Sequence, residues 1–227
     1  MSVRHRETDV SDERLSTGIG GLDRALNGGV PPGSLVVVTG DADTPAERIP
    51  YAFAEAHPSR YYSTLRPGDA VDEAMDASTA GVDEFEFRDQ EESPTRVQDV
   101  RRGDLLTGPD DRFSGLSAGE TVVVDPVNPL ERADREDYRS FLDGLGSGLR
   151  SAGGIGVLNA HVVPDTPRGR DLTLGLTDVV LALRLVVGDR IQWKLVVRKF
   201  RRGALPTTPL ALAFDDGVRV DETRELR

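Results

Sequence analysis

Three short runs of apolar, mostly β-branched residues set what this chain can fold into. Leu35-Val36-Val37-Val38-Thr39 closes on Gly40, Thr121-Val122-Val123-Val124 ends in Asp125, and Ile155-Gly156-Val157-Leu158-Asn159-Ala160 is the third. Without regular polar alternation, each predicts a strand buried on both faces of a sheet. Arg60-Tyr61-Tyr62-Ser63-Thr64-Leu65 is a fourth candidate, stopped by Pro67-Gly68. Helical patterns fall between them. Residues 135–151 carry Tyr138, Phe141, Leu142, Leu145 and Leu149, one apolar stripe along a helix. Residues 46–57 predict another, with Pro50 implying a kink or a late start. Strands alternating with helices need right-handed crossovers, hence an α/β fold with a mainly parallel sheet covered on both sides.

The end of the chain changes character. Residues 178–187, 190–200 and 210–214 predict strands joined by short turns such as Gly188-Asp189. They read as an antiparallel extension on one edge of the sheet, with Trp193 in core or interface. Pro109-Asp110-Asp111 and residues 164–169 read as loops, and no internal repeat is visible.

A length of 227 residues suits one such domain. Residues 1–14 are polar, charged and aperiodic and read as a flexible tail, leaving 15–227 as the domain. No apolar run approaches bilayer length and the first residues lack a signal-peptide core, so the expectation is a soluble, cytoplasmic protein. The absence of cysteine excludes disulfides, thiolate metal sites and cysteine nucleophiles. The formal charge is −11, and Lys194 and Lys199 are the only lysines beside abundant arginine and aspartate. That balance matches a halophile's acidic surface and speaks to solubility rather than fold, so nucleic-acid binding must be judged from local patches.

One ordered motif precedes the first strand. Ser16-Thr17-Gly18-Ile19-Gly20-Gly21-Leu22-Asp23 is followed by Leu26-Asn27-Gly28-Gly29-Val30-Pro31-Pro32-Gly33-Ser34. It resembles the opening of KaiC-like and Rad55/RadA-like ATPases of the RecA superfamily. Val122-Val123-Val124-Asp125 resembles their Walker B strand, and Lys199-Phe200-Arg201-Arg202-Gly203 their closing K-x-R-x-G segment. The resemblance spans roughly residues 15 to 222 and implies a three-layer RecA-like, P-loop NTPase fold.

The phosphate loop departs from that family. A working loop reads G-x-x-x-x-G-K-[ST], with backbone N–H groups cradling phosphates, lysine on the β/γ oxygens and the hydroxyl on Mg²⁺. Here the segment reads Gly40-Asp41-Ala42-Asp43-Thr44-Pro45-Ala46-Glu47. Pro45 replaces the second glycine and removes a donor, Ala46 replaces the lysine, and Glu47 replaces the hydroxyl. Asp41, Asp43 and Glu47 add carboxylates where a triphosphate would sit. Arg48 lies two positions beyond the lysine, where a helical turn aims it elsewhere. The water-activating glutamate pair that the resemblance places after the second strand is replaced by Arg66-Pro67, and arginine cannot serve as a base.

What survives of the resemblance has two readings. Asp125 would hold Mg²⁺ in an active relative, or simply end its strand and cap the following loop. Lys199 and Arg201 would reach a neighbouring subunit's γ-phosphate as a trans-acting finger, or form a basic, solvated strand end. His5, His57 and His161 lack metal-site spacing, so no metal is expected. Arg168 and Arg170 fall where RecA-type rings line their pore, but without aromatics they are a poor single-strand signature.

Three functions follow. The leading expectation is a pseudo-ATPase with no cofactor, a regulatory, signalling or scaffold module meeting a protein partner such as an active KaiC-like paralogue. The alternatives are weak or allosteric ATP/Mg binding, and a Rad55-like DNA recombination accessory, DNA being disfavoured. Loss of the nucleotide-filled interface argues for a monomer, dimer or hetero-complex over a stable homohexamer.

Overall fold

The computed structural model describes residues 14–79, 95–100, 102–215 and 217–221. In chain order they form α1 (Gly20–Ala25), β1 (Ser34–Asp41), a 3₁₀ turn (Pro45–Glu47), α2 (Arg48–Glu55), β2 (Ser59–Ser63), α3 (Gly68–Thr79) and β3 (Thr95–Asp99). Then come α4 (Arg102–Leu106), α5 (Pro109–Phe113), β4 (Thr121–Asp125), α6 (Asn128–Glu131), α7 (Arg135–Ala152), β5 (Ile155–Val162) and α8 (Arg170–Leu176). The last elements are the strands β6 (Val179–Val187), β7 (Ile191–Phe200), β8 (Leu210–Ala213) and β9 (Arg219–Val220).

All nine described strands join one sheet in the order β3-β2-β4-β5-β1-β6-β7-β8-β9. Pairing is parallel from β3 to β6 and antiparallel from β6 to β9. The β-branched runs occupy the centre, where β1 is buried from Ser34 through Gly40 and β4 throughout. Each side carries its own core. Val36, Val38, Tyr61, Val123 and Val157 pack under α2 with Ile49, Phe53 and Leu22. Val37, Tyr62, Val122, Val124 and Leu158 pack under α7 with Tyr138, Phe141, Leu145 and Leu149.

Local chemistry sets the element ends. Asp134 caps α7 by accepting the Glu136 N–H at 2.9 Å, and Gly153 ends it in the left-handed region at φ 67°. Pro50 is tolerated as the third residue of α2 because the helix starts late, at Arg48, behind the 3₁₀ turn. Residues 109–111, expected as a loop, instead open α5. Pro109 sits in its first turn, where no N–H is required, and Asp110 and Asp111 complement its dipole. Trp193 is partly buried against Phe214, with ring centroids 6.1 Å apart.

The opening motif has a steric explanation. Leu15 and Val30 exchange backbone hydrogen bonds of 2.8 Å, closing a loop around α1. Gly29, at φ +115°, makes that closure possible, since a Cβ there would lie 2.2 Å from the Leu15 carbonyl oxygen. Asp23 ties the loop from inside, accepting from the Thr17 N–H at 2.8 Å and the Ser16 hydroxyl at 2.6 Å. Residues 1–13 of the expected tail lie outside the described residues. Arg14 closes onto the domain, donating to the Leu26 and Gly29 carbonyls and stacking 5.4 Å over the Phe200 ring.

Candidate functional site

At the carboxyl edge of the sheet, β1 delivers the chain into residues 40–47. The loop folds back on itself. Thr44 donates both its N–H, at 3.0 Å, and its hydroxyl, at 2.6 Å, to the Asp41 carbonyl. Pro45, Ala46 and Glu47 then wind into the 3₁₀ turn, and Arg48 N–H closes on the Pro45 and Ala46 carbonyls. Ala46 is buried, turned inward over Gly40, where an added Cβ would stand 2.8 Å from the Ala46 methyl. Asp41, Ala42 and Asp43 are exposed and Glu47 is half-buried. Arg48 turns away and donates to the Phe214 carbonyl near the end of the chain.

Behind the loop, the parallel register brings three polar residues together under α2. Ser63 lies opposite Asp125, and Val124 opposite Leu158, which sets Asn159 beside Asp125. The Asp125 carboxylate accepts from the Tyr61 hydroxyl through one oxygen and from Asn159 Nδ2 at 2.7 Å through the other. Asn159 Nδ2 also lies 3.3 Å from His161 Nε2, and Asn159 Oδ1 has no partner among the described residues. Burial, reinforced by the Asp125 charge, pushes the Tyr61 hydroxyl well above its ordinary range, so it remains a donor. Tyr51 of α2 packs tilted against Tyr61, ring centroids 5.8 Å apart, and burial raises its hydroxyl to about 12 despite Arg66. Arg66 donates to that hydroxyl at 2.9 Å and to the Ala70 carbonyl at 2.7 Å.

Asp125 therefore neither caps the following loop with its side chain nor stands open; Tyr61 and Asn159 share its carboxylate. Tyr51, Tyr61 and Asn159 were not among the residues singled out in the sequence. A polar Asn159 inside an otherwise apolar strand was the available signal, because buried polar groups need partners.

A second buried cluster lies nearby, also unforeseen. Glu131, fully buried at the end of α6, receives a bidentate pair from Arg170 at 2.7 and 2.8 Å and the Thr173 hydroxyl at 2.5 Å. Arg170 also donates to the His161 carbonyl at 2.9 Å, and the Tyr138 hydroxyl lies 2.6 Å from that of Thr173. Arg170 thus joins α6, β5 and α8 internally. Lys199 donates to the carbonyls of Leu174 and Gly175 at 2.9 and 3.1 Å, and Arg201 to Gly175 at 2.7 Å. The pair caps the C-terminal turn of α8, where carbonyls lack helical partners and cations are favoured. Burial, then the neighbouring Arg201 charge, lowers the Lys199 pKa.

Among the described residues no three His, Asp or Glu side chains gather as a metal site. Nor is any described helix long and apolar enough to cross a membrane.

A parallel sheet carrying helices on both sides, extended by antiparallel C-terminal strands, defines a KaiC-like, RecA-type α/β fold. The same architecture is seen in the crystal structure of a KaiC-like protein from the hyperthermophilic archaeon Pyrococcus horikoshii OT3, at TM-score 0.72 and 18% identity. The match covers 92% of this chain and 99% of that one. The chain itself belongs to a family of unknown function, DUF7125, whose family model matches residues 14–227. No curated protein matches it.

Proposed function

We propose that this protein is a KaiC-like pseudo-ATPase, a regulatory or scaffold module that works through protein contacts and not through ATP turnover. One observation carries the reading: residues 40–47 are closed by their own side chains and backbone. Thr44 spends its N–H on Asp41, Pro45 has none, and the Ala46 methyl fills the space above Gly40. The loop carries three carboxylates and no lysine, with Asp41 and Asp43 exposed and Glu47 half-buried. The loop fits a triphosphate poorly, because the cradle requires several free N–H groups and a cation. Asp125, which would meet a hydrated Mg²⁺, has both carboxylate oxygens engaged.

The retained basic pair supports a scaffold role more than a trans-acting finger, since Lys199 and Arg201 stabilise the end of α8 in their own chain. Arg170, committed to Glu131, is held inside its own chain, which counts against the DNA alternative. The partner class that suits the fold is an active KaiC-like paralogue.

Thermal unfolding with millimolar ATP and Mg²⁺ tests the proposal. A ligand that binds only the native state must raise the midpoint. The expected result is an unchanged midpoint and no phosphate release; a saturable rise would establish nucleotide binding and overturn the reading.

A further inference from the structure

On the α7 side of the sheet, away from residues 40–47, an open cleft of about 560 Å³ lies between β2, β3 and the α4–α5 turn. Arg60, Tyr62, Gln98, Thr107, Asp111 and Arg112 line it. Its size falls within the roughly 300–1,000 Å³ that small-molecule sites occupy. The walls are mainly polar, yet their charges are unevenly paired. Arg60 is neutralised by Glu120, held at 2.6 and 3.2 Å, and also donates to the Gly115 carbonyl at 2.7 Å. Among the described residues Arg112 has no such counterpart. Its Nε is buried and finds no acceptor among the described residues, although Asp111 is its neighbour in sequence.

A guanidinium is always charged and offers five donors in a planar fork matched to carboxylate and phosphate. Leaving a buried donor of this kind unmatched is costly, and native structures seldom do so without a ligand or solvent partner. Around Arg112 the cleft adds the amide of Gln98, the hydroxyl of Tyr62 and that of Thr107, which already donates to the Gly103 carbonyl at 2.9 Å and is left as an acceptor. The Asp111 carboxylate supplies an acceptor. That set suits a small molecule with an oxyanion at one end and a hydroxyl or amino group at the other.

We infer that this cleft binds a small phosphate- or carboxylate-bearing metabolite through Arg112, at a site separate from residues 40–47. The two places lie on opposite sides of the sheet: Tyr62 belongs to the core under α7, and Ala46 to the core under α2.

Titration with inorganic phosphate, glycerol phosphate and succinate, followed by thermal midpoint at constant ionic strength in potassium chloride, provides the test. At least one probe is expected to raise the midpoint saturably, and which one does so separates phosphate from carboxylate recognition. Arg112→Gln is expected to weaken apparent affinity about tenfold or more, as loss of a charge-assisted bidentate contact should. Gln98→Ala, on the facing strand, should weaken it less and serves if Arg112→Gln does not fold. The proposal is overturned if no probe exceeds the chloride control. It is equally overturned if the variant that folds titrates like the wild type, since the anion would then sit elsewhere.

Discussion

Residues 16–34 and residues 40–47 adjoin in sequence and belong to one resemblance, yet different constraints hold them. In the first segment the glycines answer to the chain's own backbone: Gly18 at φ +75° stands against the Ala52 carbonyl, and Gly29 against that of Leu15. In the second, the backbone asks little of the side chains that follow Gly40. Asp41, Ala42 and Asp43 are exposed, and only Gly40 and Ala46 of this loop are buried. The resemblance is kept where glycines meet the chain's own backbone, and the departure from it falls in the exposed loop. The lesson is that close backbone contact restricts residue choice more tightly than exposure in a loop does.

Gly29→Ala is the strongest way to break this comparison. Its Cβ would meet the Leu15 carbonyl at 2.2 Å in a backbone conformation that L-residues avoid. The expected cost is about 3 kcal/mol or more in chemical denaturation, or failure to fold. A neutral result would mean the opening segment is no more constrained than the loop.

Asp125→Ala sharpens it from the other side. If Asp125 now serves the fold, its removal strands the buried Tyr61 hydroxyl and the Asn159 amide. About 2–3 kcal/mol of stability should be lost, measured without any nucleotide present. A loss under about 0.5 kcal/mol would place Asp125 with the loop residues.

The helix that follows the loop carries a pH-dependent contribution. Burial, with help from Asp76, raises the Glu55 carboxyl from 4.5 to about 7. The folded state then holds this proton more tightly than the unfolded state. Its contribution is fully present below 4.5 and is lost as pH rises through about 7. Because Glu55 is only partly buried, about 1 kcal/mol is expected after solvent screening. Glu55→Gln should flatten the stability profile across that window, read from denaturation midpoints at a series of pH values.

Asp43→Ala should have the smallest effect, within about 0.5 kcal/mol, because the side chain is exposed and supports no other element. A larger change in the denaturation midpoint would show that the loop carries fold constraints of its own.

Much of the sheet was legible, because strands buried on both faces announce themselves as continuous apolar runs. The run at 121–125 matches β4 residue for residue, and the C-terminal strands differ from expectation by about one residue at their ends. The misses have physical causes. The start of α5 carries Pro109 and two aspartates, which favour a turn and a helix N-terminus alike, and only packing on α7 separates them. The edge strand β3 has a partner on one side only, so its sequence lacks the apolar run of a central strand.

The candidate site was legible as a departure from a pattern and illegible as a set of contacts. Pro45, Ala46 and Glu47 show by identity alone that lysine, glycine and hydroxyl are absent. Arg170, considered for a pore loop, is bound to Glu131, a partner 39 residues away that no local pattern names. Lys199 and Arg201 likewise meet carbonyls about 25 residues distant.

By itself, then, the sequence determined the α/β class, the central strands and the residue types present at 40–47, since periodicity and residue identity are local properties. Tertiary structure decided the strand order, the closure of that loop, the partners of Asp125 and the burial of an Arg112 Nε with no acceptor among the described residues. These depend on which distant groups the sheet register and helix packing bring within hydrogen-bond reach, and one-dimensional spacing carries no record of that.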